Sequence, residues 1–244
     1  MKIRSLPILT GWLLILGSVL INVPYALLIS NFNYPDILRL PAGEILTAFV
    51  QGGSGLVFTW LAFAWSGLPI LFAILLLPKV LGRSQNVVLS SATTLGVIGA
   101  IAQMIGLLRW VFVVPVLAQA YTQPGAGLVA RASIEATFMV VHQFGGVLLG
   151  EHIGQAFTIL WMALISILIL RTALLPRWLG GLGLAASVVY FLAQGELLAT
   201  VIPGFPQLGL AGLAGSLLWL TWMVSLGINF LRPNRPELEP ALAG

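Results

Sequence analysis

The chain has 244 residues, of which 59% are hydrophobic and 7% charged, and its mean hydropathy is +1.04. A soluble domain needs about a quarter of its residues charged to keep its surface wet, so the main solvent of this chain is lipid. The net charge of +4 does not signal nucleic acid, because the basic residues stand singly or in pairs at the ends of apolar runs, and the absence of cysteine excludes disulfides, Cys-ligated metal, iron–sulfur clusters and thiol nucleophiles.

The first apolar run covers about Leu6–Ser30, behind Lys2 and Arg4. A secretory signal would have an apolar core of only about 7–15 residues ending in a small-x-small site. This run is longer and continues into Asn22-Val-Pro-Tyr, which predicts a retained helix. Further runs follow at Gly53–Leu77, Val87–Leu117, Glu151–Leu170, Trp178–Ile202 and Leu208–Leu231. Each approaches or exceeds the roughly 20 residues that cross about 30 Å of hydrocarbon.

Between the third and fourth runs lies Gly127–Gly150, apolar at Phe138–Val141 and Val147–Leu149 but carrying Arg131, Glu135, His142 and Gln143. It reads either as a seventh span or as an outer segment that dips into the membrane or continues into the fourth helix. Charge decides. Six spans with the N-terminus inside put Lys2/Arg4, Lys79/Arg83, Arg171/Arg177 and Arg232/Arg235 together on the cytoplasmic side. A seventh span would send the last four outside, against the positive-inside rule. Asn33–Gln51, with Asp36, Arg39 and Glu44, becomes an outer loop and short helix.

The expected fold is therefore all-α: a polytopic membrane helix bundle of about six transmembrane helices plus short extracytoplasmic helices. Residues 1–231 form one membrane-embedded domain, and the Pro-rich, charged 232–244 a disordered cytoplasmic tail. Small residues at four-residue spacing mark close helix packing: Ala92/Gly96/Ala100, Gly181/Ala185 and Ala211/Gly215. Trp178 beside Arg177 reads as an interface anchor, whereas the positions of the other tryptophans cannot be read from sequence.

Ionisable groups inside a span are costly and usually face the protein interior or a water-filled cavity. Arg109 lies about six residues before the outer end of the third run, on the order of 9 Å below it. Glu196 has a matching depth in the fifth. Glu151, His152 and Gln155 open the fourth from the same side, with Glu151/Gln155 at i, i+4 and His152/Gln155 at i, i+3. Asn22 sits towards the outer end of the first. His142 and Glu135 share a face seven residues apart, and Arg131 and Glu135 have the spacing of a surface ion pair.

These polar groups gather near the outer ends of the spans. They suit an outward-facing pocket in which Arg109 meets an anionic or polar group, while Glu151, Glu196, His152, His142 and Gln155 set protonation and hydrogen bonding. Each also has a plainer reading. Arg109 can reach the interface along its own stem, Glu151 can serve the helix dipole, the histidines can be ordinary hydrogen-bonded or wet side chains, and Arg109–Glu196 can be a structural pair.

Known motifs are absent. Gln51-Gly-Gly-Ser-Gly lacks the Gly-Lys-Ser/Thr of a phosphate loop, Ser54 follows no strand, and Gly150-Glu-His-Ile-Gly is not a zinc-protease motif. No metal or cofactor is assigned. His142 and His152, ten residues apart, cannot face one haem from a straight helix.

Tyr34-Pro-Asp-Ile-Leu-Arg, Leu107-Leu-Arg-Trp-Val-Phe-Val-Val-Pro, Gly150-Glu-His-Ile-Gly-Gln with Trp161, and Leu175-Pro-Arg-Trp-Leu-Gly occur in order along the chain. Through them the sequence resembles a bacterial family of multi-helix membrane proteins classed as a domain of unknown function (4386). The resemblance implies a bacterial inner-membrane location, while the charge count alone puts both termini in the cytoplasm. It carries over no catalytic residue or substrate.

Two functions stay open beside the pocket. One is an intramembrane enzyme with Glu/His-activated water acting on a lipid-soluble substrate; the other is a structural or accessory subunit. Partners are membrane lipids and a small-molecule or lipid-like ligand, with no nucleic acid and an open oligomeric state.

Overall fold

The computed structural model describes residues 5–83, 85–172 and 175–232. Lys2, Arg4 and the expected tail beyond Arg232 lie outside the described residues.

Ten α-helices make up the described chain: α1 (Ser5–Phe32), α2 (Ala42–Trp65), α3 (Leu68–Val80), α4 (Val87–Phe112), α5 (Val114–Thr122), α6 (Leu128–Val141), α7 (Gly154–Thr172), α8 (Arg177–Leu192), α9 (Gln194–Leu198) and α10 (Ala211–Leu231). A single 3₁₀ turn, Asp36–Arg39, follows α1, and a π-helical stretch, His142–Ile153, joins α6 to α7. No strand occurs among the described residues.

The helices merge into six runs long and apolar enough to cross a membrane: Ser5–Phe32, Ala42–Val80, Val87–Thr122, Leu128–Thr172, Arg177–Leu198 and Ala211–Leu231. The chain is a multi-pass membrane protein of the all-α class. Gly127–Gly150 adds no separate seventh run, since from Leu128 onward it is helical and continuous with α7. No proline lies between Pro124 and Pro176 to interrupt it.

Local chemistry sets the breaks. Asn86 caps α4, its side-chain oxygen accepting the Leu89 N–H at 3.0 Å. Pro115 in the first turn of α5 lacks the N–H that would continue α4 unbroken. Pro176 stands immediately before α8. Within α2 the backbone of Gly53 turns to φ 57°, ψ −157°, a region open essentially to glycine alone, and bends the helix there. The glycine-rich Gln51–Gly55 stretch therefore has a conformational use unrelated to phosphate binding.

The described residues group into two compact units, each assembled from separate stretches: those within 5–18, 68–101 and 154–232 in the first, 19–67 and 102–153 in the second. In the first unit α8 packs on α7 and α10. Trp161 and Trp222 meet edge to face at 5.3 Å, and the Trp222 indole donates to the Leu179 carbonyl at 3.1 Å. A methyl on Gly180 would come within 2.8 Å of the Ser166 carbonyl oxygen, and one on Gly183 within 2.6 Å of the Trp222 indole nitrogen. The packing face of α8 is thus Gly180/Gly183/Ala186, all buried. The expected pair Gly181/Ala185 is instead exposed, one residue round the helix, and Gly181 has open space beside it. Gly96, against Trp161 and Ile74, and Gly215, against Tyr190, do mark close packing.

In the second unit α2, α5 and α6 pack together. Its core is aromatic: Phe32, Phe49, Trp60, Trp110 and Phe138 are all buried. Phe32 meets Phe49, Trp60 and Trp110 edge-on at 5.6–6.2 Å. Such pairs add about 0.5–1.5 kcal/mol each beyond simple burial.

Candidate functional site

The second unit holds Arg109, His142, Glu151 and His152, and the first holds Gln155 and Glu196. Arg109 is in the last turn of α4, 9% exposed, with its Cζ 5.2 Å from the centre of the Trp110 ring. Its Nη1 donates to the carbonyl of Gly106 one turn earlier, and its Nη2 lies 3.5 Å from His142 Nδ1, at the limit of a hydrogen bond. Nε has no hydrogen-bond partner among the described residues. The Glu151 carboxylate lies within electrostatic range of the guanidinium.

The opposing wall is the π-helical stretch, whose bonds run from residue i to i+5 and whose turns are wider than an α-helix's. Gly145, Gly146 and Gly150 face α4 from it. A methyl on Gly150 would lie 3.1 Å from the Gly106 Cα, and one on Gly146 would lie 2.7 Å from the Arg109 Cζ and also touch Nη2. Side chains larger than hydrogen at these glycines would push the two backbones apart or displace the guanidinium. Arg109 is held by this glycine contact on one side and by Trp110 on the other.

His142 stacks on Phe138 at 5.7 Å and meets the Trp110 edge at 6.4 Å. Glu151 is half-buried, while His152 is exposed. Residues up to Ile153, Glu151 and His152 among them, follow the π-helical period, and α7 begins at Gly154. Two further donors in the same unit, the indole N–H groups of Trp60 and Trp110, are buried without an acceptor among the described residues. Sequence gave no sign of them, since nothing in a single chain says which tryptophans turn inward.

Two turns before His142 on α6, an open cleft of about 470 Å³ is lined by Gly43, Glu44, Thr47, Gln51, Tyr121 and Glu135. The Tyr121 hydroxyl donates to Glu135 at 2.7 Å, and Arg131 lies over the Tyr121 ring at 5.6 Å. Arg131 and Glu135 thus converge on Tyr121, a partner that their i, i+4 spacing does not reveal.

In the first unit Gln194 Nε2 donates to Gln155 Oε1 at 3.0 Å, and Gln194 is buried. Glu196 follows on the short α9, with Oε1 buried and without a hydrogen-bond partner among the described residues. Gln194 is a functional candidate that sequence reasoning missed. The available signal was a lone amide in an apolar run, two residues before Glu196. Among the described residues no group of three His, Cys, Asp or Glu side chains is placed to hold a metal ion.

The family described as "Domain of unknown function (DUF4386)" matches residues 9–227, nearly the whole chain. The chain belongs to this family. No curated protein and no solved structure matches it. Membership agrees with the multi-pass helical architecture and brings no activity with it.

Proposed function

We propose that this multi-pass protein binds, and in a transport-type cycle moves, a small-molecule or lipid-like ligand through a polar pocket in the second unit. Arg109 is its charged centre, with His142 and Glu151 beside it and His152 at its exposed edge. The observation that carries this is the Arg109 guanidinium, nine-tenths buried with one donor unused. A buried cation is expensive unless its hydrogen bonds and charge are met, and ionisable groups inside membrane spans generally mark pathways or ligand sites. The open cleft at Glu135, about 10 Å along α6 from His142 at 1.5 Å per residue, offers a mouth. Gln155 and Glu196 are assigned a separate polar position in the first unit.

The proposed setting is a bacterial inner membrane with both termini in the cytoplasm. Support comes from the ends of the six runs. Lys79, Arg83, Arg171, Arg177 and Arg232 cluster at alternate ends, whereas the opposite ends carry the mixed set Asp36, Arg39, Glu44, Arg131 and Glu135.

Comparing the small-molecule and lipid content of gently purified wild-type protein and of Arg109→Gln tests the pocket. A species retained by the wild type and missing from the folded variant is the expected result. Loss of lipid turnover on Glu151→Ala and His152→Ala would instead favour an intramembrane enzyme.

A further inference from the structure

We infer that the ligand of the Arg109 pocket is an anionic amphiphile: one carboxylate or phosphate oxyanion on an apolar body. This rests on the ligand-binding reading above and adds the chemistry of the ligand. The polar atoms left over in the second unit are all donors. Arg109 Nε, Trp60 Nε1 and Trp110 Nε1 are buried with no acceptor among the described residues, and their side chains are stacked on one another. Water-poor surroundings make each unmet N–H costly, and the group that satisfies donors without adding more is an oxyanion.

Arginine geometry identifies the reacting edge. Nη1 is engaged by the Gly106 carbonyl. Nε and Nη2 lie on one side of the planar guanidinium and present two near-parallel N–H bonds, the fork that carboxylates and phosphates take in bidentate fashion. On that edge Nε is unused, and Nη2 has only its long contact to His142. Gly146 packs over the face of the guanidinium rather than its edge, because a methyl there would lie 2.7 Å from Cζ, closer than to Nε at 3.1 Å. The absence of a side chain at residue 146 lets the guanidinium keep this position and orients its Nε/Nη2 edge. The rest of the neighbourhood, Phe49, Phe138 and the two tryptophans, is apolar and suits an alkyl or aromatic body rather than a free inorganic ion.

Glu151 supplies the sign test. It is an opposite charge acting on Arg109, so it competes with any anion that arrives. Neutralising it must strengthen anion binding, an outcome that a purely structural role for these residues would not produce.

The experiment titrates full-length protein in neutral detergent with dodecyl phosphate, laurate, inorganic phosphate, a neutral dodecyl glycoside and dodecyltrimethylammonium, reading occupancy by native mass spectrometry. Wild type should bind the two anionic amphiphiles in preference to the neutral and cationic ones. Arg109→Gln should abolish the preference and Arg109→Lys should weaken it, because a point charge lacks the fork. Glu151→Gln should tighten anion binding by about fivefold or more, the lower end of ordinary site–site coupling. Gly146→Ala keeps the charge and displaces only the flexible end of Arg109; it should weaken binding even if Arg109→Gln fails to fold. Dodecyl phosphate against laurate separates a phosphate headgroup from a carboxylate, and binding of inorganic phosphate alone would remove the need for the apolar body and overturn that part. Anion binding unchanged in Gly146→Ala and Glu151→Gln overturns the inference. An Arg109-dependent ligand that is neutral or cationic overturns it too, while leaving the pocket itself standing.

Discussion

Trp60 and Trp110 stack face to face, their ring centroids 4.8 Å apart and their planes 8° from parallel. Both are fully buried, and Arg109 lies over the Trp110 ring. The pair joins α2 to α4 and forms the floor on which the candidate site rests. Trp110→Ala should therefore cost about 3–5 kcal/mol, the usual range for emptying a buried aromatic site. Trp110→Phe should cost clearly less, because a ring remains for Trp60 and Arg109. Thermal unfolding in detergent of the two variants beside the wild type measures the difference.

Gly53 and Gly55 should respond to alanine in opposite directions. Gly53 holds φ 57°, ψ −157°, so a side chain there should destabilise by about 1–3 kcal/mol. Gly55 has open space around it in a helical segment, and alanine there should stabilise by about 0.5–1 kcal/mol. A shift of the melting temperature down for Gly53→Ala and up for Gly55→Ala checks both signs.

The Gln155–Gln194 hydrogen bond should appear as a coupling energy. In a double-mutant cycle with leucine at both positions, the pair should show about 0.5–1.7 kcal/mol, the range measured for hydrogen bonds between membrane helices. The double replacement should cost less than the two single replacements summed, since each single one leaves the other amide without this partner. Reversible unfolding of the four proteins supplies the cycle.

Sidedness can be measured directly because the chain has no native cysteine. Single cysteines at Gln85 and at Gln123 should label from opposite sides of the membrane with an impermeant maleimide in intact cells. Gln123 should react from outside and Gln85 only after permeabilisation. The reverse pattern would invert the proposed orientation.

The six runs were legible because the bilayer sets a length and the composition meets it. Residues such as Lys79, Arg83, Arg171 and Arg177 mark their ends. The continuity of Leu128–Thr172 was partly legible too: its proline-free length allows one long helix, although Gly145, Gly146 and Gly150 argue locally against it. They are tolerated because Gly106 and Arg109 pack against them. The π-helical stretch was not legible, since its residues carry no pattern distinct from an α-helix's. Its different period also bears on the residues at its end, Glu151 and His152. The choice between Gly180 and Gly181 failed for a similar reason: in a helix apolar all round, a four-residue spacing fits more than one face. The polar residues near the span ends were readable one at a time, but the convergence of Arg109 with His142, and of Tyr121 with Glu135, depends on pairings 33 and 14 residues apart.

The most direct test of a ligand-binding pocket centred on Arg109 is native mass spectrometry of the wild type and Arg109→Gln, purified identically in a gentle neutral detergent. A defined adduct on the wild type, absent from a variant that keeps its helical circular dichroism and melting transition, is the result this account predicts. The same adduct on both proteins, or none on a well-folded wild type, would contradict it.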